Sequence, residues 1–212
     1  MTSSPAPRPH DQSTYQVRLE WGPAGLARLA PSDVVVVVDV LDSSTRAVEA
    51  AAAGEEILLD RLDPVVGEIA RVAGPDAIVL AAGLVNARAV AEAVLAEQTR
   101  RAGRTSVAII AAGELVAPDA ADLVHPAVED QLGAGAVVAA LGDLGIDHTS
   151  PDAAVAAEGF RALRGAVRHL LTASGSGRAM AARGERDAVA GAAVHDSAGV
   201  VPVLRDGGFR PL

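Results

Sequence analysis

Residues 33–41 read DVVVVVDVL, with five consecutive valines between two aspartates. A strand that is apolar on both faces must be covered by helices on both sides, which is typical of a central strand in a parallel sheet. The run therefore predicts a buried central strand over Asp33–Leu41 in an α/β fold. Asp39 stands out, because a carboxylate among valines is costly to bury unless it is paired, hydrogen-bonded or liganded.

The segments on either side of this run alternate between strand and helix patterns. Upstream, Tyr15–Trp21 alternates apolar and polar residues as an edge strand does, and Gly22-Pro23 introduces a short helix to Ala30. Downstream, capping residues and apolar periodicity predict helix Ser43–Ala53, strand Glu56–Leu59, helix Asp63–Gly74, strand Ala77–Ala82, helix Asn86–Ala102 and strand Ser106–Ala111. This order predicts right-handed crossovers and a three-layer α/β/α domain with a mainly parallel or mixed sheet.

The C-terminal half is predicted to be mostly helical and to pack on the same sheet. A loop from Ala112 to Pro126 precedes the predicted helix Val128–Leu144, a long helix Ser150–Leu171, two short helices on either side of Gly184 and a last strand Gly199–Leu204. The sequence contains neither an internal repeat nor a clear linker, so residues 14–212 are expected to form one domain. Residues 1–13 are polar and Pro-rich, and we expect a disordered tail rather than a signal peptide.

Composition restricts the possible core and the possible chemistry. Hydrophobic residues make up 50% of the 212 residues but aromatic residues only 2%, so the core must be built from Ala, Val, Leu and Ile. The absence of cysteine excludes disulfides, thiolate metal ligands and cysteine nucleophiles. No apolar run reaches the roughly 18 residues of a membrane span. We therefore expect a cytoplasmic protein without a membrane partner, and a homo-oligomer is possible.

The net charge restricts the kinds of ligand that the protein can bind. A formal charge of −9, from 27 acidic and 18 basic residues, disfavours nucleic-acid binding. An anionic substrate must then meet a local positive site or a metal ion, because the overall field repels it.

Asp39 is the first candidate for chemistry. It lies near the carboxyl end of its predicted strand, where α/β sheets bind ligands, and the hydroxyls of Ser43, Ser44 and Thr45 follow at the start of a helix. Together these groups would hold a metal ion and an anion. The alternative is that Asp39 caps the next helix or pairs with Arg46.

Further carboxylates are predicted at the same edge of the sheet. Glu114 follows the strand Ser106–Ala111, and Glu129 and Asp130 lie in the first turn of a predicted helix. Acids in a first turn are favoured by the helix dipole whatever their function, and loop carboxylates are usually only solvated. We predict that these three side chains and Asp39 converge.

Other motifs are ambiguous. Gly133-Ala134-Gly135 looks like part of a phosphate loop, but it lies inside a predicted helix and is more consistent with close helix packing. The segment Ser174–Arg178 would present amides and a guanidinium to phosphate, or form an ordinary turn between helices. The histidines lack zinc-site spacing, and His195-Asp196-Ser197 is interpreted as a loop.

Seven ordered blocks resemble the 2-phosphosulfolactate phosphatase family, and they extend from about Val17 to Phe209. The blocks are Leu19–Pro23, Val36–Leu41, Asn86–Val90, Ala112–Glu114, Glu129–Ala136, Ser176–Arg178 and Val200–Gly207.

The resemblance implies a Mg²⁺-dependent hydrolysis of a small phosphorylated substrate, in which phosphosulfolactate and water give sulfolactate and phosphate. It makes Asp39, Glu114, Glu129 and Asp130 candidate metal ligands, and Asp39 and Glu114 candidate catalytic residues as well. A catalytic role is also predicted for Arg178, because this arginine follows two glycines and can approach a ligand freely. Phosphate binding is assigned to Ser43, Ser44, Thr45, Ser176 and Gly177.

The sequence also departs from the family pattern. A Ser-Pro element and a Thr/Ser-x-Asn-Gly-Thr/Ser turn that the family usually carries are missing between Asp60 and Gly83, and Asp42-Ser43 replaces the usual residues after the acidic strand. The missing turn predicts weak turnover or none on phosphosulfolactate. The alternative function is therefore a pseudoenzyme, a non-catalytic descendant that binds a small anion or a partner protein.

Overall fold

The computed structural model describes residues 9–116 and 123–212. Within them the helices are α1 (Gly22–Arg28), α2 (Ser43–Ala52), α3 (Pro64–Ala73), α4 (Ala87–Arg101), α5 (Val128–Asp143), α6 (Pro151–Leu163), α7 (Val167–Ala173), α8 (Gly175–Ala182) and α9 (Arg186–Ala192). The strands are β1 (Val17–Trp21), β2 (Val34–Val38), β3 (Ile57–Leu58), β4 (Ile78–Ala82), β5 (Val107–Ala111), β6 (Glu114–Leu115), β7 (Val124–His125), β8 (Pro202–Arg205) and β9 (Gly208–Pro211).

Seven of these strands form one mixed sheet in the order β1-β5-β2-β4-β8-β9-β3. The first four are parallel, whereas β8, β9 and β3 pair antiparallel. The valine run occupies the interior of the sheet, because Val34 pairs with Val107 of β5 on one side and with Ile78 of β4 on the other. The predicted α/β class, the central position of the valine strand and the edge position of β1 are confirmed.

Alternate residues of β2 belong to different cores. Val34, Val36 and Val38 pack into a large core with α4, α5 and α6, whereas Val35 and Val37 pack into a second core with α1, α2 and α3. Successive side chains of a strand point to opposite faces, so one strand serves both layers. The result is the predicted α/β/α sandwich.

Helix α5 lies unusually close to its neighbours because of its two glycines. A Cβ at Gly133 would lie 2.5 Å from Cγ2 of Val40 and 2.9 Å from Cγ1 of Val38, and a Cβ at Gly135 would lie 2.2 Å from the carbonyl oxygen of Ala156. The interpretation of this motif as a packing device is confirmed, and the packing sets the position of the acidic residues at the start of α5.

The structure differs from the sequence-based expectations in four places. The strand Gly199–Leu204, predicted to be the last, begins at Pro202 and is followed by a further strand, β9. The predicted loop Ala112–Pro126 contains the antiparallel strand pair β6–β7, and its residues 117–122 lie outside the described residues. The predicted long helix after Ser150 is split into α6 and α7 by the 3₁₀ turn Arg164–Ala166, whose central Gly165 lowers helix propensity. The strand near Glu56 is only two residues long, because a 3₁₀ turn begins at Leu59.

At the N-terminal end, the side chain of Gln12 exchanges hydrogen bonds with the backbone of Leu19 at 3.0 and 3.2 Å. Residues 1–8 of the predicted tail lie outside the described residues. Among the described helices, none is long and apolar enough to cross a bilayer.

Candidate active site

Asp39 is the first residue beyond the carboxyl end of β2 and is partly exposed. Its Oδ2 accepts a hydrogen bond from the amide of Ser43 at 3.1 Å, so it satisfies one of the free amides at the start of α2. Arg46 pairs with Asp42 at 3.1 Å instead. The capping alternative is therefore present in the structure, and the pairing of Asp39 with Arg46 is not.

A capping role alone does not account for the electrostatics of Asp39. Burial raises the pKa of this carboxyl to about 6, hydrogen bonds from Ser43 oppose the rise, and the charges of Asp42 and Asp63 add to it. A helix cap in water would instead stabilise the carboxylate and lower its pKa. Asp39 is thus a carboxylate held in a place that disfavours its charge.

Asp130 lies behind Asp39 and ties two strand ends together. It is 2% exposed, and its Oδ1 accepts from the amide of Val40 at 2.8 Å while its Oδ2 accepts from the amide of Gly113 at 2.9 Å. Burial and the charge of Asp39 raise the pKa of Asp130 well above its ordinary value, although the two amides lower it. Because both oxygens hold amides, this residue fixes the end of β2 relative to the end of β5.

Glu114 and Glu129 share one hydroxyl group. The Oγ of Ser176, near the start of α8, lies within hydrogen-bonding distance of Oε1 of Glu114 and of Oε1 of Glu129. Glu129 is only 3% exposed. A hydroxyl has one proton to donate, so the two carboxylates compete for it.

The four predicted acids are thus linked by a chain of contacts. The charge of Asp39 acts on Asp130, and Asp130 follows Glu129 in the first turn of α5. The hydroxyl of Ser176 contacts both Glu129 and Glu114. Among the described residues no ion pair with a basic side chain involves Asp39, Asp130 or Glu129. This edge of the sheet is therefore strongly negative.

The hydroxyls after Asp39 are engaged in internal hydrogen bonds. Ser43 Oγ accepts from the amide of Asp63 at 2.9 Å, Ser44 Oγ accepts from the amide of Asp39 at 2.9 Å, and Thr45 Oγ1 donates to the carbonyl of Val40 at 2.7 Å. Ser43 and Ser44 are each 1% exposed. These bonds shape the turn that presents Asp39, and a phosphate-binding role for the three hydroxyls stays a prediction.

The segment around Ser176 begins a helix. Ser174 caps α8 by accepting from the amide of Gly177 at 3.0 Å, and a Cβ at Gly177 would lie 1.8 Å from the carbonyl oxygen of Leu171. Arg178 is exposed and lies two residues after Ser176 on the helix, so the two side chains face different directions. Of this segment, only Ser176 contacts the acidic residues.

The residues that follow Asp39 line a cleft of about 450 Å³, called here the cleft beside Asp39, although Asp39 itself is not among the lining residues. Residues 40–42, residues 45–46 and Glu49 form one wall, and Met180, Arg183 and Glu185 belong to the other. Arg46 and Arg183 each line it, paired with Asp42 and with Glu185 at 2.9 Å. Sequence reasoning missed Arg183, since nothing in its local sequence separates it from the other arginines; only the packing of α8 and α9 identifies it.

The donor chemistry at this edge suits a hard divalent cation, but the described residues do not form a preformed cage. No group of three or more Asp, Glu or His side chains in residues 9–116 and 123–212 is arranged to hold a metal ion. Mg²⁺ usually binds through one or two carboxylates and keeps several waters, so the unpaired acids fit its needs without such a cage.

A family model described as 2-phosphosulpholactate phosphatase matches residues 67–207, which is more than half of the chain. The match includes Glu114, Glu129, Asp130 and Ser176, and it begins after Asp39. No curated protein matches the chain.

Proposed function

The chain belongs to the 2-phosphosulpholactate phosphatase family, and on that basis we propose that it is a Mg²⁺-dependent phosphomonoester hydrolase that acts on 2-phosphosulfolactate. The family supports a phosphatase-type activity on a small phosphorylated substrate. The single observation that carries the finer proposal is the group of acids at the carboxyl ends of β2 and β5, whose described contacts include no basic partner.

Without a cation, the negative charges of these acids destabilise the folded protein. Burial opposes the charge on Asp39 and Asp130, and each carboxylate adds to the repulsion at the next. A divalent cation would relieve both costs. We propose that Asp39, Glu114 and Glu129 supply its protein ligands, one or two at a time, and that water completes the shell.

When bound, the cation would neutralise the phosphate oxygens and favour attack by water on phosphorus. The residues of the chain then have separate tasks. Asp130 positions the backbone next to Asp39 and Glu114, since its two oxygens accept from the amides of Val40 and Gly113. Ser43 orients Asp39 through its amide and hydroxyl, and Ser176 keeps Glu114 and Glu129 together.

The cleft beside Asp39 is the proposed substrate site. Its two arginines are held only by exposed ion pairs, with Arg46 44% and Arg183 59% exposed. Such pairs contribute little free energy, so a substrate anion can replace the present carboxylate partners at small cost. We propose that Arg46 and Arg183 bind the anionic groups of the substrate, which would supplement the role predicted for Arg178.

The decisive experiment is phosphate release by the purified protein from 2-phosphosulfolactate and from p-nitrophenyl phosphate, with Mg²⁺ and with EDTA. We expect release only with Mg²⁺, and loss of release in Asp39→Asn. Asp76→Asn is the matched control, because Asp76 is exposed and distant in sequence from the acidic residues.

A second candidate function rests on a specific observation: β4 leads through Gly83 directly into the 3₁₀ turn Leu84–Asn86 and α4, with no room for the missing family turn. If the folded protein binds Mg²⁺ or phosphate but releases none from either ester, the non-catalytic, anion-binding descendant is the better description.

A further inference from the structure

A second cleft, of about 430 Å³, lies on the face of the sheet covered by α4, α5 and α6. Its floor is formed by small residues on one side of α5, including Ala136, Ala139 and Ala140. Because Ala136 follows Glu129 by seven residues on the same helix, the two positions are about 10 Å apart along its axis. The cleft is therefore separate from the acidic group.

The walls of this cleft are rich in cationic side chains from three different elements. Arg88 comes from the first turn of α4, Arg161 from the last turn of α6 and Arg164 from the 3₁₀ turn that follows. His195 and Asp196 close the remaining side. Asp143 also lines the cleft, so the three arginines outnumber the two aspartates in the lining by one.

The arginines differ in their partners. Arg88 pairs with Glu92 at 2.8 Å, and Arg161 pairs with Glu158 at 2.6 Å and with Asp143 at 3.1 Å. Arg164 makes no ion pair with a carboxylate in the part of the chain that the structure describes; its Nη2 contacts Nδ1 of His195 at 3.3 Å. One guanidinium is thus left with its charge unmatched beside a concave surface.

The loop that carries His195 is fixed in place. Asp196 has a φ of 52°, a left-handed conformation that aspartate adopts more readily than most residues other than glycine. Its amide donates to the carbonyl of Leu84 at 2.9 Å, and its Oδ1 accepts from the amide of Arg88 at 2.8 Å. The His195 ring packs on Phe160 with ring centroids 5.1 Å apart.

His195 faces two groups with opposite demands. Its Nδ1 lies 3.3 Å from Nη2 of Arg164 and 3.2 Å from Oδ2 of Asp196. A neutral ring accepts from Arg164 through Nδ1, whereas a protonated ring donates to Asp196 and is repelled by Arg164. Burial and the charge of Arg164 lower the pKa of His195, and Asp196 opposes them. An anion bound to Arg164 would remove the repulsion.

We propose that this second cleft binds a small tetrahedral oxyanion, with phosphate as the test ligand, through Arg164 and Arg88 with His195 as a further donor. The forked guanidinium presents paired N–H donors that match adjacent oxygens of such an anion. The cleft takes the anion without Mg²⁺, so this binding is independent of the phosphatase activity proposed above.

The test is calorimetric titration of the full chain with inorganic phosphate in the presence of EDTA. We expect Arg164→Gln to weaken phosphate binding about tenfold or more, as loss of a charge-assisted hydrogen bond predicts. Arg88→Gln is a second variant of the same cleft. Arg168→Gln, an exposed arginine on α7 outside the cleft, is the matched control and should bind as the unchanged protein does.

A further arm uses sulfate, which stays a dianion between pH 5.5 and pH 8. Binding that recruits a protonated His195 should be tighter at pH 5.5, and His195→Gln should remove most of that difference. The proposal is overturned if phosphate binds equally to Arg164→Gln, Arg88→Gln and the control. It is also overturned if Arg46→Gln abolishes binding and the two cleft variants do not, because the anion then occupies the cleft beside Asp39.

Discussion

Asp130 and Val40 are joined by a hydrogen bond of 2.8 Å, from the amide of Val40 to Oδ1 of Asp130. The bond spans ninety positions of sequence and fixes the peptide that follows Asp39. The second oxygen of Asp130 holds the amide of Gly113, one residue before Glu114. One buried carboxylate therefore positions two of the proposed metal ligands without contacting either through a hydrogen bond of its own.

Asp130→Ala should destabilise the protein, because it leaves the amides of Val40 and Gly113 without their acceptor. Each unsatisfied buried group costs roughly 1–3 kcal/mol, so we expect a loss of about 2–4 kcal/mol in the free energy of unfolding, partly offset by relief of charge repulsion. Urea denaturation at pH 7 measures it. Asp76→Ala, at an exposed position, should change stability by less than about 0.5 kcal/mol.

Asp39→Asn should raise stability at high pH while removing activity. The pKa of Asp39 rises from 3.8 to about 6 on folding, so the folded protein binds the additional proton between these values. The free energy of unfolding therefore falls as pH increases from about 4 to 6 and stays lower above it. We expect Asn to add about 3 kcal/mol at pH 8 and almost nothing at pH 3.5. An equal effect at both pH values would contradict this.

Two glycine substitutions on the same helix should have opposite effects. Gly135→Ala places a Cβ 2.2 Å from the Ala156 carbonyl oxygen and should destabilise the protein by about 1–3 kcal/mol through overpacking. Gly142→Ala meets only the end of the Arg161 side chain, at 3.7 Å, and should stabilise the helix by about 0.5–1 kcal/mol. Thermal unfolding of the two variants under identical conditions makes the comparison.

Arg183→Gln should weaken substrate binding more than it slows the reaction. Loss of a charge-assisted contact predicts about a tenfold increase in KM for 2-phosphosulfolactate, and a smaller one for p-nitrophenyl phosphate, which has fewer anionic groups. Arg186→Gln, an exposed arginine on α9, is the control. A large fall in kcat with unchanged KM would instead place Arg183 at the reacting phosphate.

Turnover of 2-phosphosulfolactate should be slow, with kcat below about 1 per second, the lower end of the ordinary enzyme range. Phosphoryl transfer needs donors aimed at the phosphate oxygens, and the family turn that would supply them is missing. In its place, Asn86 uses its side chain internally: its Oδ1 accepts from Gly83, and its Nδ2 donates to the carbonyls of Ala81 and Val200. A kcat of ten per second or more with Mg²⁺ would refute the deletion argument.

The sheet could be predicted from sequence where local pattern and burial agree. Five valines admit one interpretation, a strand covered on both faces, and the structure places them between β4 and β5. The order of the C-terminal strands was not predictable, because β8 and β9 pair through contacts with β4 and β3 that no local pattern encodes. The break between α6 and α7 at Gly165 was not predictable either, because it depends on tertiary packing.

For the candidate site, the sequence indicated which acids lie near one another but not which contacts they make. Asp39, Glu114 and Glu129 follow strand ends or open a helix, and such positions meet at one edge of a parallel sheet. Sequence reasoning could not assign Asp130 a positioning task, because that task depends on the amides of Val40 and Gly113 in the folded chain. Nor could it find Arg183, which reaches the cleft through helix packing alone.

Because the β2 valines alternate between two cores, the number of valines in the run determines which face each later side chain points to. Any of these valines can be exchanged for another β-branched apolar residue of similar size, since each only fills space in its own layer. Removing one valine would instead move every later side chain to the opposite face, and with them the side chain of Asp39. The number of valines, more than their identity, specifies where that carboxylate points.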